Sequence, residues 1–277
     1  MTSASVLRAM TVFYVCLFFA WLFGPLLIMG ASAFNANSFP TVQPWRGFTT
    51  DWFGVLFTSR DVGEGIRTSL LIGVGVVAVS VPIGLAAAVT MTRLRARTRS
   101  IYYAVVVSPV LIPGVIIGVS TKVFWDRIGI ALDVPFTSFI YDGVFLTILG
   151  QSSFISAYCM LIFLARLGRF DRAQEEAALD LGASQTQVFF KILVPFLRPA
   201  ILSAAVLAFL SSFENYNTTV FTILPEKTLT TVLAGRVRLG TDPSISALAV
   251  MIVAVTVAGA VIYEVLARRE ARRLGAG

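Results

Sequence analysis

Six stretches of this chain, 9–33, 68–92, 101–124, 144–165, 192–213 and 245–267, are long and apolar enough, or nearly so, to cross a bilayer. A hydrocarbon core about 30 Å thick takes about 20 residues of helix. Within it every backbone amide and carbonyl needs a partner inside the protein, which leaves helices as the expected element. The stretches are apolar all round rather than along one stripe, as lipid-embedded helices are. The rest of the composition agrees. Hydrophobic residues make up 57% of the chain and charged residues 13%, against about 25% charged in an ordinary soluble domain. The expectation is an all-α integral membrane protein: six transmembrane helices forming one membrane domain over residues 1–277, with the lipid bilayer as solvent.

The first stretch has a second reading. Arg8, an apolar run and Ala31-Ser32-Ala33 also fit a cleavable signal peptide. Signal cores are shorter, about 7–15 residues, so a retained helix is expected. Orientation follows from charge. Fourteen of the 22 Lys and Arg fall at Arg8, in the Arg93–Arg99 cluster, in the loop after the fourth stretch and its exit, and at Arg268–Arg273. The positive-inside rule then puts both termini in the cytoplasm. Because these arginines hug span ends, the net charge of +7 reads as a topology signal, and no nucleic-acid partner is implied. Glu264, near the inner end of the sixth stretch, reads as a snorkelling or paired group.

Several chemistries are excluded. The chain has no histidine and only two cysteines, Cys16 and Cys159, both inside apolar runs. That leaves no His metal site, no Ser-His-Asp triad and no disulfide framework. No G-x-x-x-x-G-K-[ST] string occurs, so the chain has no nucleotide loop of its own.

Three segments carry functional signals. The third stretch holds Pro109 and Pro113, which should kink a helix and free carbonyls, either for packing or to line a path. Ser69 with Gly73 and Gly84 with Ala88 are small pairs one turn apart, suited to close helix packing. The loop 166–191 is long for a helix connection and should hold structure. Asp171 and Gln174 resemble a capping box, Glu175 and Glu176 sit near the start of a short helix, and Gly182 can supply a left-handed cap. Ala177, Ala178 and Leu181 share a small apolar face that fits either plain packing or a partner's groove. Glu214 lies fifteen steps beyond Pro199, about 22 Å of helix, and Asn215, Tyr216, Asn217, Thr218 and Thr219 follow. This is either a solute-facing surface, with Glu214 attracting a cation, or an external loop after a span that ends at Phe213.

Glu176-Ala177-Ala178-x-x-x-Gly182, then nine residues, then Ile192-x-x-Pro195, resembles the EAA signature of ABC importer permeases, with Val194 where leucine is usual. The resemblance implies a type I ABC importer permease fold. It also implies a second permease subunit, two ATPase subunits that bind ATP and Mg, and a periplasmic or lipid-tethered solute-binding protein. The EAA segment would be the coupling helix, with Glu176, Ala177, Ala178, Leu181 and Gly182 docking the ATPase. This chain would hold no cofactor and would not itself be an enzyme. Thr228-Leu229-Thr230, the run Gly240 to Leu248 and Ser211-Ser212-Phe213-Glu214 look like the second permease of spermidine/putrescine-type systems. Gly114 and Glu214-Asn215-Tyr216-Asn217 depart from that subfamily's acidic positions. The implied path residues are Glu214, Asn215, Tyr216 and Pro113, for a polyamine or another small solute such as an amino-acid-like compound, opine or phosphonate. An ATPase-independent secondary transporter is the alternative from another class.

Overall fold

A computed structural model describes residues 3–239 and 242–273, with side chains over 7–239 and 242–258. Gly240, Thr241 and the side chain of Glu264 lie outside the described residues. The helices are α1 (Ser3–Ser32), α2 (Asp51–Thr58), α3 (Arg60–Arg93), α4 (Ala96–Leu111), α5 (Gly114–Ala131) and α6 (Gly143–Leu167), followed by α7 (Ala173–Asp180), α8 (Gln185–Val188), α9 (Val194–Phe213), α10 (Thr219–Thr222), α11 (Leu229–Leu239) and α12 (Ser244–Arg273). No strand occurs among the described residues. One isolated bridge joins Asn35 and Phe48.

Among the described residues, four helical segments are long and apolar enough to cross a membrane alone: Leu7–Ser32, Arg60–Arg93, Gly143–Leu167 and Gln185–Phe213. The third expected span is not one helix. α4 and α5 meet at 101°. The expected kink is therefore a break, and its cause is local. Pro113 stands before α5 at φ −54° and ψ 133°, and the residue before a proline is driven out of the helical region, so Ile112 is extended at ψ 132°. α12 covers the sixth stretch.

The chain divides into two compact units. One holds the chain up to Val62 and from Leu233 onward. There α12 packs on α1 and α2, and the Ser32 hydroxyl donates to the Ser246 hydroxyl at 2.9 Å. Buried Asn35 organises the following loop. Its amide donates to the carbonyls of Thr41 and Pro44, its Oδ1 accepts from the Arg46 amide, and its own carbonyl accepts from Trp52 Nε1.

The other unit, Gly63–Val232, is built around α6 and α9. Lipid is as apolar as leucine, so helices associate through close packing and polar contacts rather than through a hydrophobic drive. α9 meets this need with Ala200, Ala204, Ala208 and Ser212, one turn apart and all buried. The Cys159 thiol of α6 reaches the Ala204 carbonyl at 3.9 Å. α3 is admitted by glycine. A Cβ on Gly84 would stand 2.5 Å from Cys159 Cβ and 2.8 Å from the Met160 nitrogen and the Ser156 oxygen. A Cβ on Gly73 would lie 2.9 Å from the Phe209 ring, and the Ser69 hydroxyl accepts from the Leu229 amide at 3.0 Å. Both small pairs therefore serve close packing.

Candidate functional site

Two regions of the Gly63–Val232 unit collect the residues singled out from sequence. The first begins where α9 ends. Phe213 is its last residue and Glu214 follows as the cap. The polar run then turns back into the protein instead of forming a free loop. Asn215 Oδ1 accepts from the amides of Thr218 and Thr219, starting α10. Thr218, Thr219 and Thr222 are fully buried.

A hydrogen-bonded network holds this fold-back. Gln151, at the middle of α6, donates to the Thr219 hydroxyl at 2.8 Å and accepts from the Ser212 hydroxyl. Thr147 and Thr222 pair their hydroxyls at 2.8 Å. The Thr218 hydroxyl donates to the Gly114 carbonyl at 3.2 Å. A Cβ on Gly114 would lie 3.1 Å from both Asn217 Cβ and Thr218 Oγ1, so the break after Pro113 abuts the polar run.

The helix does end at Phe213, and the polar run does form a concave surface. A cavity of about 370 Å³ is lined by Phe154, Tyr158, Leu207, Ser211, Glu214, Asn215, Tyr216 and Asn217. Glu214 is exposed within it, with Asn215 and Tyr216 half-buried. Pro113 is exposed but is not among the lining residues. Gln151, Tyr158 and Phe154 were not singled out from sequence. The signal for Gln151 was present: an amide in the middle of a span needs a partner, and the polar run downstream offered one.

The second region is the loop 166–191. α7 forms where a short helix is expected, but the expected capping box does not. Arg172 occupies the cap position without a side-chain cap bond, and Asp171 accepts instead from the Ala173 amide at 3.0 Å. The box is Ser184 with Gln187, at the start of α8. Its S-x-x-Q pattern was legible. Gly182 has φ +86°. The Ala183 amide donates to Ala178 and the Gly182 amide to Leu179, the paired bonds of a Schellman end.

Arg172 anchors this loop to the end of α3 through the Thr92 carbonyl at 2.7 Å. The Phe170 and Phe196 rings lie 5.0 Å apart. α7 itself buries nothing. Glu176, Ala177 and Gly182 are exposed, Ala178 is half-buried, and Leu181 is 89% exposed. A cavity of about 430 Å³ opens beside it between Leu181, Gly182, Ala183, Gln187, Val188, Lys191 and Ile192. α9 is entered through a π turn over Phe189–Leu193. Pro195 lacks the N–H that would bond the Lys191 carbonyl, and its ring crowds that carbonyl, which a widened turn relieves.

The described residues form an all-helical membrane chain with a broken span, a glycine-closed helix in a long loop and a polar fold-back. The chain belongs to the binding-protein-dependent transport system inner membrane component family, whose profile matches residues 80–272. In that family ATP is hydrolysed by a separate subunit, so the chain is not itself an enzyme, and membership implies a partner permease, an ATPase and a solute-binding protein. The chain is a multi-pass inner-membrane protein.

It is 32% identical to the putrescine transport system permease protein PotI of Escherichia coli (strain K12), over 92% of this chain and 90% of that one. It is 25% identical to the spermidine/putrescine transport system permease protein PotC of the same strain, over 90% of each. Among solved structures it resembles a bacterial ABC transporter involved in import of the acidic polysaccharide alginate, with a TM-score of 0.70, 21% identity and coverage of 97% and 95%. The same TM-score holds, at 18% identity, for a bacterial alginate ABC transporter in complex with an alginate pentasaccharide-bound periplasmic protein, covering 97% of this chain and 94% of that one. The fold is that of a type I importer permease.

Proposed function

We propose that this chain is the second permease subunit of an ATP-driven polyamine importer and supplies half of its translocation path. In this reading it acts as one transmembrane domain with both termini cytoplasmic. Its partners are another permease, two ATPase subunits that bind ATP and Mg, and a periplasmic or lipid-tethered binding protein. Glu176, Ala177, Ala178, Leu181 and Gly182 form the coupling surface. The exposed Ala177 and Leu181, one turn apart beside a cavity, support this role. Glu214, Asn215, Tyr216 and the break at Pro113 belong to the path.

The observation that carries the solute assignment is the cavity at Glu214. It sets one carboxylate among the rings of Phe154, Tyr158 and Tyr216 and the amides of Asn215 and Asn217. A carboxylate attracts an ammonium by about 4 kcal/mol at 4 Å in a medium of effective dielectric about 20, against about 1 kcal/mol in bulk water. Aromatic faces add to the hold on a cation, and their apolar surface suits a polymethylene spacer. The names of the PotI and PotC relatives point to the same solute class.

The test separates charge from shape. Glu214→Gln keeps the shape and removes the charge, whereas Glu214→Asp keeps the charge on a shorter arm. At equal membrane abundance, with binding to the separate solute-binding protein unchanged, Gln should lower putrescine uptake about tenfold or more. Asp should lower it less. Wild-type uptake by the Gln variant would remove Glu214 from the path.

A further inference from the structure

One short loop carries the polar side of the cavity at Glu214. Ser212 lies in the last turn of α9, and Thr219 begins α10. Between them, Glu214, Asn215, Tyr216 and Asn217 line the cavity in succession. α6 supplies the rings of Phe154 and Tyr158.

Gln151 lies on the same face of α6 as those rings. At 100° per residue, positions 151, 154 and 158 fall within an arc of about 80°. Gln151 is 1% exposed, and both ends of its amide are used. Its Oε1 accepts from the Ser212 hydroxyl, and its Nε2 donates to the Thr219 hydroxyl at 2.8 Å. Those partners stand where the loop leaves α9 and where it enters α10. One amide therefore ties both stems of the loop to the helix that carries the aromatic side of the cavity.

The loop is also braced internally. The Asn215 carbonyl accepts from the hydroxyls of Thr219 at 2.8 Å and Thr230 at 3.1 Å, while its Oδ1 accepts from the first amides of α10. A loop held in this way moves with its stems, and Glu214 moves with it. One turn away, the Thr147–Thr222 hydroxyl pair independently seats α10 on α6, so the fold-back does not depend on Gln151 alone.

We infer that Gln151 is a positioning residue for transport, which sets the distance between the Glu214 carboxylate and the Phe154 and Tyr158 rings. The inference deepens the proposed path and rests on it. A cation gains from a ring only within about 6 Å of its centre, and its attraction to a carboxylate falls with separation. A diamine gains from both only if the spacing lets an ammonium reach Glu214 while the rest of the molecule lies on the rings. Gln151 touches no solute in this account. It acts through Glu214.

A double-mutant cycle in the complete transporter tests this, with putrescine as the probe and initial uptake into proteoliposomes read per assembled complex. Gln151→Met keeps the length of the side chain and removes both hydrogen bonds. In the wild-type background it should lower uptake about fivefold. In the Glu214→Gln background, where no carboxylate is left to position, the same change should cost less than about twofold. A second variant separates position from stability. Gln151→Met with Ser212→Ala and Thr219→Val removes the bonding partners too, so no buried group is orphaned. It should regain the thermal stability of the extracted complex that Gln151→Met loses, while uptake stays as low as in Gln151→Met.

Equal fold losses in the two backgrounds overturn the inference, because Gln151 would then act independently of Glu214. Uptake that recovers together with stability in the triple variant also overturns it, leaving the network a purely structural role. If Glu214→Gln is impaired and Gln151→Met transports as wild type, the positioning role alone fails. If Glu214→Gln transports as wild type, the proposed path fails and the positioning role falls with it.

Discussion

Gly182 shows how much one backbone angle can carry. A Cβ there would meet nothing within 4 Å, so its requirement comes wholly from φ +86°. An L residue in that region costs roughly 1–2 kcal/mol, while asparagine tolerates it better. Gly182→Val should therefore lower ATPase retention during purification, and transport with it, without lowering the amount of chain in the membrane. Gly182→Asn should recover most of both. Equal ATPase retention by all three would separate the turn from coupling. This residue was legible in the sequence because its role is local. The pairing of Gln151 with Thr219 was not, because they lie 68 positions apart. Nothing local says that a polar run after Phe213 folds back to meet an amide in the preceding span. A buried, partly satisfied amide costs about 1–3 kcal/mol, which is the physical reason to look for such a partner.

Among the helices, close approach decides more than hydrophobicity does. Gly84 lets α3 lie against the backbone of α6 at Ser156 and Met160, so an added side chain must push the helices apart. Gly24 of α1 has open space around its Cβ position. Gly84→Val should sharply lower the yield and thermal stability of the detergent-extracted complex, by more than about 2 kcal/mol. Gly24→Ala should be neutral or slightly stabilising through helix propensity. Comparable losses at both sites would mean that α3 does not depend on this contact. The small pairs were readable as packing sites from spacing alone. The α4–α5 break was readable only as a kink. Prolines mark where hydrogen bonds fail, but the direction taken by α5 depends on distant contacts. Gly118 lies under the Thr218 carbonyl, and Gly129 lies under the Tyr141 ring.

For the chain as a whole, the division of labour is the central claim. Six apolar stretches and the EAA-like loop were enough to read a permease from the sequence. The resemblance also pointed to a polyamine, but the cavity at Glu214 was not readable, because it is assembled from α6, the end of α9 and the fold-back together. The chain has no nucleotide loop, and its family leaves ATP hydrolysis to another subunit. The most direct measurement is ATP hydrolysis and putrescine uptake by this chain reconstituted alone and by the assembly with its second permease, ATPase and binding protein. The account predicts neither activity from the chain alone, with the assembly hydrolysing ATP faster when the binding protein is loaded and taking up putrescine. ATP hydrolysis by the isolated chain, or ATP-independent uptake through it, would contradict the account.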